Sequence, residues 1–152
     1  RSETERYGEY SKAGEFVYDH PFQWGSKRTG PDLAREGVGN LKKSNGWHFR
    51  HFREPGSISE GTIMPAYVFM LEQNLDTSTT SAKINAMITL GVPYAKGYGN
   101  NANQDLLLQA QSIADDLKGD SIKISPNKEV IALIAYIQRL GTDISTTTNA
   151  QK

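Results

Sequence analysis

Residues 125–141 read SPNKEVIALIAYIQRLG, and this stretch carries helix signals from start to stop. Ser125 is a favoured N-cap residue, and Pro126 suits the first turn, where an N–H has no partner within the helix. Apolar side chains follow at the three- and four-residue spacing of one helix face, at Val130, Ile131, Ile134, Ile137 and Leu140. Gly141 closes the pattern. The stretch therefore predicts a helix that begins at Ser125 and ends at Gly141.

Segments upstream repeat the helical pattern. In the clearest of these segments, which ends at Gly119, the helical spacing puts five apolar residues on one face: Leu106, Ala110, Ile113, Ala114 and Leu117. The spacing of Ile84, Met87, Ile88 and Gly91 indicates a further helix, and Ser44 or Asn45 can cap a short one that Pro55 stops. An amphipathic helix is predicted over Arg1–Tyr18, a loop over residues 94–103, and a disordered tail over 142–152. No strand alternation stands out, so the sequence predicts an all-α fold.

The composition bounds what the chain can be. Its 152 residues suit one domain, predicted to span residues 1–141. Seventeen basic and seventeen acidic residues cancel, so no bulk attraction to nucleic acid or to an anionic membrane is expected. No run approaches the roughly 20 apolar residues of a bilayer-spanning helix, and the start at Arg1 lacks an apolar signal core. We therefore expect a soluble fragment whose membrane anchor lies upstream.

Three segments point to a function when they are read together and in order. Residues 18–34 read YDHPFQWGSKRTGPDLA, residues 63–67 read IMPAY, and residues 129–143 contain most of the last predicted helix. These segments closely resemble the mono-haem subunit, of FixO type, of cbb3-type haem-copper oxidases. Residues 6–11 and 89–94 also look like that subunit, so the resemblance extends over residues 6–141.

The resemblance implies a cytochrome c-like fold with a long insertion before the last helix. It also implies a haem c whose Cys-x-x-Cys-His attachment motif would lie just before Arg1. These 152 residues contain no cysteine, so we expect the fold to be truncated at the N-terminal haem-attachment segment and to hold no haem covalently. In the intact subunit, electrons would pass between another c-type cytochrome subunit and the catalytic haem-copper subunit at the periplasmic face of the bacterial inner membrane. The chain alone is not expected to be catalytic.

Met64 is the candidate haem-iron ligand that the resemblance implies for the intact subunit. A thioether is a soft, neutral donor for iron, and Pro65 fixes the backbone beside it. The alternative reading is a methionine that fills space in the core, which is how we interpret Met70 and Met87.

The other candidate haem contacts come from the same resemblance. The carbonyl of Pro31 would orient the proximal histidine, although a plain turn at Gly30 and Pro31 is equally compatible with the residues. Arg28 and Trp24 would lie near the haem edge and stabilise a propionate, and their alternatives are a solvated charge and a core residue. Thr29, Gly30, Leu33 and Tyr67 complete the set, the last two as residues that line the pocket.

Other readings compete with electron relay. His48 and His51 share a helix face and could chelate a metal, but no third partner is near them in sequence, so we expect partly exposed histidines. His20 is interpreted as structural. A haem-free scaffold domain that docks oxidase subunits is the main alternative function, and a periplasmic small-molecule binding module is another. A Cys-x-x-Cys-His motif encoded before Arg1 would favour electron relay over both.

Overall fold

The structure, a computed structural model, describes residues 4–5, 8–22 and 31–142. Its helices are α1 (Asn45–Arg53), α2 (Phe69–Glu72), α3 (Thr80–Thr89), α4 (Ala102–Gly119) and α5 (Glu129–Arg139). Short 3-10 helices occur at Ala13–Phe16, Leu33–Arg35, Gly39–Leu41, Pro55–Ser57 and Tyr98–Asn100. Within the described ranges there is no β-strand, and one isolated bridge pairs Asn74 with Lys128. The predicted all-α class is confirmed.

The chain forms two compact units. The central unit is Ser44–Ala135, and the terminal unit combines Arg1–Lys43 with Tyr136–Lys152. The single cytochrome c-like domain over residues 1–141 stays a prediction, and all but the first residue of the predicted tail lies outside the described residues.

The core of the central unit takes buried side chains from α1, from α4 and from the first part of α5, where Val130, Ile131 and Ile134 are fully buried. Ala110, Ala114 and Leu117 are buried on one face of α4, as their spacing predicts, and Phe49 and Phe52 are buried on α1. Ser44 caps α1, because its Oγ accepts a hydrogen bond from the N–H of Trp47 at 3.1 Å.

The two helices approach closely where α1 begins. Asn45 Nδ2 donates to Asp116 Oδ2 at 2.8 Å, and a Cβ on Gly46 would collide with the carboxylate of Asp120. A side chain at position 46 would therefore require the Asp120 carboxylate to move away from α1.

In the terminal unit, glycines allow the chain around Leu33–Arg35 to lie against the end of α5. A Cβ on Gly37 would meet the carbonyl oxygens of Gln138 and Leu140, so only glycine fits there. Gly141 has φ +78°, a left-handed conformation that ends the helix region as the sequence predicts.

Two predicted helices differ from the structure. The helix predicted over Arg1–Tyr18 is not continuous: Thr4 and Glu5 are helical, but Gly8 has φ +88°, and beyond it Ala13–Phe16 form a short 3-10 turn. The last helix begins at Glu129 rather than at Ser125. Residues 125–128 instead form a turn, and the N–H of Glu129 donates to the carbonyl of Gln73 at 3.2 Å. This pairing with a distant segment is invisible to local helix signals.

The predicted loop and the predicted helix before it are both present in the structure, with slightly different bounds. The predicted loop at residues 94–103 contains one 3-10 turn before α4 begins at Ala102, and α3 ends before Gly91. Among the described residues, no helix has both the length and the apolar character needed to cross a bilayer.

Candidate functional site

The structure describes half of the predicted site residues. Met64 and Tyr67 lie in the central unit, and Pro31 and Leu33 lie in the terminal unit. Trp24, Arg28, Thr29 and Gly30 lie outside the described residues.

Met64 lies on an irregular segment, residues 62–67, between the 3-10 turn Pro55–Ser57 and α2. Its N–H donates to Thr62 Oγ1 at 3.2 Å, so the backbone at Met64 is held by a local turn rather than by a helix. The side chain is partly buried, whereas the neighbouring Ile63 is 94% exposed. The segment therefore carries a thioether beside an apolar side chain that no part of the described chain covers.

The far end of this segment is fixed to α1. The N–H of Tyr67 donates to the carbonyl of Phe52 at 2.8 Å. The two rings meet edge to face, with centroids 6.2 Å apart and an interplanar angle of 84°. Because Phe52 is buried, this contact anchors the Met64 segment to the core of the central unit.

Pro31 and Leu33 flank a short capped turn in the terminal unit. Asp32 is the N-cap of Leu33–Arg35, and its Oδ1 accepts a hydrogen bond from the N–H of Ala34 at 3.1 Å. Leu33 is 63% exposed, and Pro31 is half-buried. The turn thus presents an apolar side chain that the terminal unit itself does not bury.

Side chains from residues 9–15 hold this turn. Ser11 donates to Asp32, and Arg35 forms a two-pronged ion pair with Glu15, with both N–O distances at 2.7 Å. The hydrogen bond from the Arg35 guanidinium lowers the pKa of Glu15 below its usual value of 4.5. Sequence reasoning missed Ser11, Glu15 and Arg35, because their contacts join residues about twenty positions apart.

Glu36, which follows the turn, is a buried carboxyl group. Only 8% of the residue is exposed, and burial raises its pKa above the usual value of 4.5, against a smaller opposing effect of the Lys43 charge. A pKa that is raised on folding means that the folded state binds the proton more tightly than the unfolded state. Its contribution to stability is therefore complete below the unfolded pKa and is lost as the pH rises through the folded value.

We expect Glu36→Gln to stabilise the chain at neutral pH, since the variant removes the cost of burying a carboxylate. The gain should shrink as the pH falls towards the usual glutamate pKa, because both proteins then carry a neutral group at position 36. Urea unfolding between about pH 4 and pH 7 measures this difference. Glu60→Gln, at an exposed turn, is the matched control, and an equal pH dependence in both variants would contradict the assignment.

The histidines of α1 differ from their predicted exposure. His48 is only 2% exposed, so the expectation of a partly exposed side chain is wrong for it, whereas His51 is half-buried. Burial lowers the pKa of His51, and its ring stacks on Trp47 with centroids 4.6 Å apart. In the part of the chain that the structure describes, no three metal-ligating side chains come together. These histidines are part of the aromatic packing of α1.

Met70 and Met87, interpreted as core residues, are half-buried. Neither lies on a segment like that of Met64: Met70 is inside α2 and Met87 is inside α3. Met64 therefore differs from Met70 and Met87 because it lies outside a helix. Its loop is anchored to α1 at the end formed by Tyr67.

Comparison with known protein families gives one match. The family described as "Cytochrome C oxidase, mono-heme subunit/FixO" matches residues 1–144, a range that includes every predicted site residue. No match was found among curated proteins.

Proposed function

The chain belongs to the FixO family of mono-haem cytochrome c oxidase subunits, and we propose that it relays electrons through a single haem c to the oxygen-reducing subunit of a cbb3-type oxidase. The observation that carries this proposal is the Met64 segment. It is a loop that bears a partly buried thioether and is anchored to the core through Tyr67 and Phe52.

The described residues fit a haem group in two respects. Methionine sulfur is a soft, neutral ligand of the kind found opposite histidine in electron-transfer cytochromes. Ile63, next to Met64 in sequence, is 94% exposed, and Leu33, two residues after Pro31, is 63% exposed. Exposed side chains of this size are the surfaces that a large apolar ring would cover.

The haem, when bound, accepts and donates one electron. With haem bound, Met64 would supply a sulfur ligand to the iron, and the carbonyl of Pro31 would accept a hydrogen bond from the proximal imidazole and keep it oriented. Leu33 and Tyr67 would contact the haem and help to exclude water from it, which would raise the potential at which the iron is reduced. Arg28 and Trp24 would donate hydrogen bonds to propionate oxygens, and Thr29 and Gly30 would complete the set of haem contacts.

The attachment of the haem and the location of the subunit belong to the same proposal. These 152 residues contain no cysteine, so thioether links to the haem would be made by residues outside them. The partners are another c-type cytochrome subunit, which delivers electrons, and the catalytic haem-copper subunit, which receives them. The domain faces the periplasm of a bacterial inner membrane, and an anchor outside these residues holds it there.

The test uses the purified native oxidase that contains this subunit. The haem c content per subunit is measured first, and the reduced enzyme is then mixed with oxygen while the haem c absorbance is followed. We expect one haem c per subunit, oxidised within the turnover time of the oxidase. A subunit without haem would overturn the proposal and favour a scaffold role, and a haem that stays reduced during turnover would overturn the relay.

A further inference from the structure

Asp32 is a buried carboxylate beside the proposed haem contact Pro31. The residue is 6% exposed, and its Oδ2 accepts hydrogen bonds from the N–H of Ser11 at 2.8 Å and from Ser11 Oγ at 2.6 Å. Its Oδ1 accepts from the N–H of Ala34 at 3.1 Å. Both carboxylate oxygens thus accept hydrogen bonds, and Ser11, 21 residues earlier in the chain, donates two of those named here.

A second contact fastens the same two segments. Arg35 Nη1 and Nη2 donate to the two carboxylate oxygens of Glu15, each at 2.7 Å, and the side chains of Arg35 and Glu15 are only 19% and 15% exposed. Partly buried, two-pronged pairs of this kind restrict orientation as well as distance. We call the four residues Ser11, Glu15, Asp32 and Arg35 the polar clasp.

The polar clasp compensates for weak apolar packing of the turn. The 3-10 helix Leu33–Arg35 contains no fully buried residue, and Leu33 is largely exposed. A 3-10 helix of three residues has poor hydrogen-bond geometry and does not hold its own position. The hydrogen bonds of the polar clasp therefore add to the contact with the end of α5 in holding this turn.

We propose that Asp32, held by Ser11, is a positioning residue for the haem, a role that rests on the function proposed above. The carbonyl of Pro31 and the N–H of Asp32 belong to one planar peptide unit, so fixing Asp32 fixes one end of the plane that contains the carbonyl. That carbonyl is the proposed acceptor for the proximal imidazole. A hydrogen bond to the imidazole makes the ring a stronger electron donor, which favours the oxidised iron.

Two hypotheses for Asp32, a helix cap with a structural role alone and a residue that positions the haem, predict different results. Both roles predict a less stable protein when Ser11 or Asp32 is replaced. Only the positioning role predicts a change in the equilibrium between reduced and oxidised haem. The two variants separate geometry from charge, because Ser11→Ala leaves the Asp32 carboxylate in place.

The experiment measures the ratio of reduced to oxidised haem at a fixed solution potential in the haem-loaded native subunit. We expect Ser11→Ala and Asp32→Asn to raise this ratio, on the order of tenfold for Asp32→Asn, which corresponds to about 59 mV for one electron. An amide at position 32 replaces one acceptor oxygen by a donor and cannot satisfy both Ser11 and Ala34. Lys12→Ala is the matched control, because Lys12 pairs with Glu9 on the same segment but is 70% exposed.

Three outcomes decide the question. A raised ratio in Ser11→Ala and Asp32→Asn with an unchanged Lys12→Ala supports the positioning role. An unchanged ratio in Ser11→Ala, together with a loss of stability, overturns it and leaves Asp32 as a helix cap, while the proposed function stands. A wild-type subunit that takes up no haem overturns both the proposed function and the positioning role.

Discussion

Replacing Met64 by leucine is expected to remove the sulfur ligand of the haem iron in the native subunit and to lower its reduction potential by on the order of 100 mV or more. Thioether ligation stabilises the reduced iron, because sulfur is a soft, neutral donor. Leucine has nearly the same volume as methionine but no donor atom, so the change isolates ligation from packing. The measurement is a redox titration combined with the absorption spectrum of the oxidised haem.

Met70→Leu and Met87→Leu are the matched controls for this prediction. Both residues are partly buried methionines, like Met64, but they lie inside α2 and α3. We expect both controls to keep the wild-type potential and spectrum. In the haem-free chain, all three variants should lose less than about 1.5 kcal/mol of the free energy of unfolding, because the swap conserves volume. A Met64→Leu subunit with an unchanged spectrum would show that another residue completes the iron coordination.

The fold class and the longest helix follow from the sequence because they depend on local patterns. The face of α4 is set by a periodic run of apolar residues, and Gly119 ends the helix where the pattern stops. The N-cap of α1 is equally local, because Ser44 bonds to a backbone N–H three residues ahead. Such signals need no knowledge of the rest of the chain.

The errors arise where distant segments compete with local preference. Ser125 and Pro126 are good helix-start residues, but the backbone of residues 127–129 pairs with residues 73–75, so α5 begins at Glu129, four residues after Ser125. The amphipathic pattern of residues 1–18 is interrupted at Gly8, and the segment beyond it is held by Asp32 and Arg35. The sequence offers no signal for a hydrogen bond between residues that are about twenty positions apart.

In the candidate site, too, locally marked residues could be predicted from the sequence, whereas residues held by distant contacts could not. Met64 could be selected from the sequence because Pro65 and the resemblance of residues 63–67 mark it, and the structure adds the anchor through Tyr67 and Phe52. Asp32 lies within residues 18–34, which carry the family resemblance. Nothing in the sequence, however, indicates that Ser11 is its hydrogen-bond partner. The buried state of Glu36 was also unpredictable, because a charged residue after a surface turn is exposed in most proteins.

Leu117 is one of the fully buried side chains whose truncation should cost the most stability. Its side chain is fully buried in the central unit, on the face of α4 that also buries Ala110 and Ala114. Leu117→Ala removes the buried methyl groups and leaves a cavity that the two neighbouring alanines are too small to fill. The expected loss is about 2–5 kcal/mol of the free energy of unfolding, measured by urea unfolding of the haem-free chain.

Leu107→Ala is the control for this prediction, because Leu107 lies on the same helix but is 58% exposed. Alanine is the strongest helix former, so this control keeps the helix and removes little buried surface. We expect its free energy of unfolding to change by no more than about 0.5 kcal/mol. Equal losses in the two variants would mean that the apolar face of α4 does not form the core of the central unit. A large difference would place the main stabilising contacts of that unit along this face, independently of whether haem is bound.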